Sequence, residues 1–213
     1  MNAGFAGGDE REDMDSTNTI KEPEASRPAQ AFVHMPIVSV LCAARNSVYH
    51  TMPALVVYDE RRDAKSFPGG TAIIAHPPCR SWSVKTKHQA KPQPGERELG
   101  LWCCEQLRQC GGVLEQPAHS EMWAAARFPE PGQGVFDGVW SLEVWQAWWG
   151  YPMKKTTWLA FAGIAPDDVE TPLRLHPRGG DLRREQVMSK NQRSATTREF
   201  AEWLVSMARS CVM

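Results

Sequence analysis

Three short apolar runs, "IVSVLCAA" from Ile37, "ALVVYDE" from Ala54 and "TAIIAHPP" from Thr71, follow one another closely, each bounded by proline, glycine or charge. Their apolarity is continuous, not alternating, and a strand apolar on both sides must be covered on both sides, as in parallel sheets. In "GERELGLWCCEQLRQC", Leu99, Cys103, Leu107 and Cys110 recur at helical spacing, while Arg97, Glu98, Glu105 and Arg108 largely take the other face. Gly111 and Gly112 end that helix, and "VLEQP" reads as a further strand. The pattern then predicts a helix over "SEMWAAARF" capped by Ser120, and two strands, "LEVWQAWWG" and "TTWLAFAGI", joined by a turn at Gly150–Lys155. A last helix in "TTREFAEWLVSMARSC" has Thr196 and Glu199 at capping-box spacing, with Phe200, Trp203, Leu204 and Met207 on its apolar face. Strands alternating with helices predict an α/β fold with helices on both faces of the sheet.

At 213 residues the chain suits one domain and a tail. Residues 1–32 are polar, acidic and rich in Gly and Pro, and are expected to be a disordered tail; residues 33–213 are expected to form a single α/β domain. The net charge of −1 divides unevenly, −4 on residues 1–30 and +3 on the rest. A mildly basic folded part permits a nucleic-acid partner without requiring one. Six cysteines, no signal-like N-terminus and no bilayer-length apolar run point to a reducing cytoplasm, with neither disulfides nor a membrane partner expected. No C-x-x-C pair occurs, so no metal is expected. Most of the nine tryptophans read as core and sheet aromatics, which leaves base stacking for one or two.

Ligands of such sheets bind beyond the carboxyl ends of the strands. There the sequence collects Arg45 and Asn46, Asp59 and Glu60, Pro77 to Arg80, and Glu115 with Gln116. In "AHPPCRSWS" two prolines stiffen the chain that presents Cys79, and the charge of Arg80 next to it favours thiolate. The same cysteine also fits as a small packed residue. Glu115 ends a strand where an unpaired carboxylate is costly, so it needs either a structural partner or a catalytic task. His76 stands close enough to the loop to influence the thiol; the other five histidines suggest no role. A zinc deaminase is excluded by the missing H-x-E and second cysteine, and "FPGG" lacks the length and lysine of a phosphate loop.

Three segments, in order, resemble the cytosine-5 DNA methyltransferases, and more closely the short methyltransferase-like proteins encoded by bacteriophages. "AHPPCRSWS" resembles the Pro-Cys nucleophile loop. "GGVLEQPAHS" resembles the strand ending in the catalytic glutamate, with Gln116-Pro117 where the family has Asn followed by Pro or Val. "QAWWGYPMKKTTWLAFAG" resembles the strand-turn-strand that carries a Gln, a Gly-x-Pro and a basic residue, and "QRSATTREFAEWL" is a weaker fourth match.

The resemblance implies a Rossmann-like methyltransferase sheet and a pyrimidine carbon-5 methylation. Cys79 would attack carbon 6 and Glu115 would hydrogen-bond ring nitrogen 3 and lend a proton, with Arg80 beside them. The base would be flipped out of a duplex or taken from a single strand of DNA. Arg80, Ser81, Lys154, Lys155 and Arg193 would contact the target nucleotide. S-adenosylmethionine would lie along Cys42, Ala43, Asn46 and Pro77, with Asp59 or Glu60 on its ribose. Where the family has Phe-x-Gly-x-Gly, this chain has "CAARNSVYH", with no glycine. The target-recognition region is reduced to "APDDVETPLRLHPRGGDLRREQVM", and so short a loop reads few base edges, which implies loose sequence demands. Two other readings stay open: a pyrimidine-modifying enzyme using a folate donor or a free nucleotide, and a catalytically silent nucleic-acid-binding relative.

Overall fold

Val38, Val40, Ile74, Val113 and Leu159 turn to one side of a central sheet, and Leu41, Ile73, Ala75, Leu114 and Ala160 to the other. Every one of these side chains is buried, which is why apolar residues stand at adjacent positions within the runs. The structure is a computed structural model that describes residues 35–84, 91–172, 189 and 194–211, all within one unit, Met35–Met213. The expected tail lies outside the described residues, as does most of the loop after Pro172.

Six strands build the sheet: β1 (Val38–Leu41), β2 (Leu55–Val57), β3 (Ile73–Ala75), β4 (Gly112–Pro117), β5 (Val139–Trp145) and β6 (Thr156–Ala162). Their order is β2-β1-β3-β4-β6-β5. The first four run parallel, β6 is antiparallel to both its neighbours, and the sheet is therefore mixed. Helices α1 (Glu96–Cys110) and α2 (Met122–Ala126) cover the Leu41 side through Cys103, Leu107, Met122 and Trp123. Helix α3 (Arg198–Ser210) covers the Val40 side through Phe200, Ala201, Leu204 and Val205. The α/β class and the two helical layers are as expected.

Gly112 joins α1 to β4 at φ +122, and a Cβ there would stand 2.0 Å from the Ile73 carbonyl oxygen. Only glycine lets β4 pair this closely with β3.

Three local expectations are corrected. The strand predicted over "LEVWQAWWG" stops at Trp145, and Gln146–Trp149 coil into a 3-10 turn that ends at Gly150, φ +76. The cap of α3 is Thr197, not Thr196: its Oγ1 accepts from the Phe200 N–H at 3.3 Å and donates to the Trp149 carbonyl at 2.8 Å. Ser120 accepts from the Met122 N–H at 3.3 Å but lies one residue before the cap position of α2, which is Glu121.

Candidate active site

Because β1 lies between β2 and β3, the chain leaves it toward one neighbour and later returns on its other side. The exits of β1 and β3 therefore diverge at the carboxyl edge, the place where such sheets take ligands. The exit of β3 is His76 to Arg80. Gln116, buried on the neighbouring β4, donates its amide to the Pro77 carbonyl and holds the Pro-Pro segment down. Beyond it, the N–H groups of Trp82 and Ser83 both reach the Cys79 carbonyl at 3.0 Å, and the Glu121 N–H reaches the Trp82 carbonyl at 3.0 Å. The loop is fixed on both sides of Cys79, which is itself exposed.

Glu115 approaches the same place from β4, with its side chain 15% exposed. Its Oε2 lies 3.1 Å from Nδ1 of His76, and its Oε1 accepts from Nε2 of Gln146 at 3.1 Å. Gln146 is itself anchored to Thr157 Oγ1 at 3.0 Å. Behind the histidine, Tyr49 Oη is 3.0 Å from His76 Nε2, in a ring that is 1% exposed. Burial pushes the Glu115 carboxyl up, but the His76 hydrogen bond, the charges of Lys155 and His76 and the Gln146 amide together outweigh it and hold the group below its usual value. Burial, reinforced by the Glu115 charge, raises the Tyr49 phenol well above its ordinary value. An ionised carboxylate only accepts, so the ring donates from Nδ1 to Oε2, while the Tyr49 hydroxyl, which can donate or accept, meets Nε2.

Cys79, Glu115 and Lys155 act on one another electrically. Although Cys79 is exposed at the surface, the protein packed around its sulfur raises the thiol, as does the negative charge of Glu115, with smaller opposing contributions that include Lys155 and Arg80. Lys155 is lowered by burial, against the pull of Glu115 and Cys79. Its backbone stands at φ +34, which a lysine rarely adopts, and its ammonium lies 4.9 Å from the centre of the Tyr151 ring and 3.5 Å from the Ala195 carbonyl. One sulfur, one carboxylate and one ammonium thus share the rim.

Arg80 favours the thiolate as expected, but its contribution is outweighed. Its guanidinium pairs with the buried Glu96 at the start of α1, and the net effect on Cys79 is upward, so the sulfur rests as a thiol. Lys154 is exposed, its Nζ 3.8 Å from the centre of the Trp145 ring. Ser81 is half-buried, and its carbonyl accepts from Arg97 at 3.3 Å. Arg193 lies outside the described residues.

The residues expected at a cofactor are divided in their availability. Cys42 takes φ +60, the conformation a glycine would supply, and its sulfur turns to Cys103 at 3.8 Å, so its side chain does not crowd the edge. Ala43 is buried and its N–H is spent on the Tyr58 carbonyl at 2.9 Å. Asp59 closes its own turn, Oδ1 accepting from the Arg61 N–H at 2.8 Å and Oδ2 lying 3.4 Å from His50; the Arg61 bond leads the lowering of its carboxyl. Glu60 is exposed and paired with Arg45 at 3.5 Å, and Asn46 is exposed. The carboxylate available to a diol is therefore Glu60 and not Asp59.

Tyr49 and Gln146 were not singled out as site residues in the sequence. Gln146 had a signal, the Gln of "QAWWGYPMKK"; Tyr49 had none. A separate hollow between α1 and α2, lined by Leu101, Glu105, Arg108 and Arg127 among others, contains none of the rim residues. Among the described residues no three His, Cys, Asp or Glu side chains gather as a metal ion requires, and no helix is long and apolar enough to cross a membrane. Comparison with family models, with curated proteins and with solved structures finds no match to this chain.

Proposed function

We propose that this protein is a pyrimidine carbon-5 transferase of the phage methyltransferase-like type, acting on cytosine in DNA with loose sequence demands. The observation that carries the reading is the shared field of Cys79, Glu115 and Lys155 at the carboxyl edge of a mixed α/β sheet. A competing reading, a Cys-His-acid hydrolase, needs a histidine nitrogen facing the sulfur. Both nitrogens of His76 are already engaged, by Glu115 and Tyr49.

The resting proton inventory suits addition to a pyrimidine. Cys79 is a thiol and Glu115 an anion. As sulfur bonds to carbon 6, the S–H bond breaks and its proton passes to Glu115, which returns it to ring nitrogen 3. Carbon 5 then carries the electron density released from the 5,6 double bond. Lys155 balances the charge beside both groups, and Lys154 with Ser81 flanks the opening. S-adenosylmethionine would be held by Glu60 and Asn46 beside the open Cys42 backbone, and would supply an electrophilic methyl group.

Incubation with single-stranded DNA containing 5-fluorocytosine, together with S-adenosylmethionine, is expected to give a covalent adduct mapped by mass spectrometry to Cys79, and Cys79→Ser is expected to give none. DNA bound without adduct would replace this reading with that of a silent binder. An adduct that appears with a methylene-folate but not with S-adenosylmethionine would keep the nucleophile and change the donor.

A further inference from the structure

We propose that His76, held from behind by Tyr49, is a positioning residue that keeps Glu115 as the anion able to take the Cys79 proton; this rests on the carbon-5 transferase reading. The His76 ring is gripped at both nitrogens, 3.0 Å from Tyr49 Oη and 3.1 Å from Glu115 Oε2, and its side chain is only 13% exposed. Tyr49 comes from the short 3-10 turn Val48–Thr51 after β1, His76 from the exit of β3 and Glu115 from β4. Three neighbouring strands or their exits thus each contribute one member of a chain that leads from the buried interior to the carboxyl edge of the sheet.

The chain fixes a direction for the proton. The ionised Glu115 only accepts, so Nδ1 must carry the hydrogen, and the Tyr49 hydroxyl at Nε2 holds the ring so that this hydrogen points at Oε2. With one lone pair of Oε2 taken by His76 and one of Oε1 taken by Gln146, one lone pair on each oxygen is left to meet the sulfur's proton and then ring nitrogen 3. The other titratable groups facing Glu115 are Cys79 from the loop, Lys155 from the entry to β6, and Tyr49 through its charge interaction. Of these only Lys155 also favours the anion, and it lacks the orienting hydrogen bond.

The test reads Glu115 itself, without DNA or donor. In protein carrying 13Cδ-labelled glutamate, with the resonance assigned through Glu115→Gln, His76→Ala should raise the Glu115 titration midpoint by about one pH unit, the worth of one hydrogen bond to a charged group. His76→Asn places an amide N–H where Nδ1–H stood and should return most of the change, which separates orientation from mere packing. Equal midpoints in wild type and His76→Ala would overturn the inference, as would failure of His76→Asn to recover the shift in a folded protein. Because no nucleic acid is present, these outcomes are independent of the fluorocytosine adduct: a shifted midpoint with no adduct would leave the positioning role in place and remove the proposed reaction.

Discussion

At the scale of the residue, Cys79 and Glu115 oppose each other's ionised forms while Lys155 favours both. The carboxylate is the second contribution raising the thiol, after burial, and the ammonium opposes it. Removing the negative charge should therefore release the sulfur, and removing the positive charge should restrain it further. With iodoacetamide at pH 8, Glu115→Gln is expected to alkylate at Cys79 several-fold faster than wild type, and Lys155→Met several-fold slower, as read by mass spectrometry of the Cys79 peptide. The opposite signs matter more than the magnitudes, since loosening of the loop would accelerate both. Rates that are equal in all three proteins would mean that the three groups do not share a field.

At the scale of the element, the close approach of β3 and β4 brings His76 and Glu115 within hydrogen-bonding reach. Gly112 permits that approach, so Gly112→Ala must either push β4 away from Ile73 or abandon its positive φ. The expected loss is on the order of 3 kcal/mol, measured by urea unfolding, with a flattened titration of Glu115 if β4 moves. Wild-type stability in that variant would show that β4 does not need the contact. Strands β1 and β3 were legible in the sequence because residues on both their faces are buried, with Ser39 the one polar position between them; β2, at the edge, is half-buried and still apolar. The end of β5 was not legible. "QAWW" continues the apolar run, yet Gln146 is drawn inward to Glu115 and Thr157, and the chain coils to deliver it. Thr196 and Thr197 are equivalent as residues; the choice between them is made by the Trp149 carbonyl, which only the folded chain brings near. Cys79 and Glu115 could be found because each is a reactive side chain just after an apolar run, although β4 continues past Glu115 to Pro117. The Tyr49–His76 and His76–Glu115 contacts join residues 27 and 39 positions apart, and their meeting depends on the register of three strands.

At the scale of the whole molecule, the two helical layers enclose thiols on the side of α1, and this sets how stability responds to alkali. Cys104 is 1% exposed, and burial pushes its thiol up to about 12; Cys103 beside it is raised well above its ordinary value, first by its contact with Cys42 and then by burial. A group whose folded-state value is raised favours folding fully below its unfolded value, because the unfolded chain loses the proton first as pH rises. The contribution of Cys104 is therefore complete at pH 8 and erodes from about pH 9 until the folded thiol itself ionises near 12. By pH 10 the erosion from this one group is about 1.5 kcal/mol. Cys104→Ala lowers stability at every pH by emptying space in the core, but it also removes the titration. Urea unfolding at pH 8 and pH 10 should therefore show a smaller loss between the two pH values in the variant than in wild type. Parallel losses would mean that the Cys104 thiol meets solvent in the native state, and that α1 does not seal this face of the sheet.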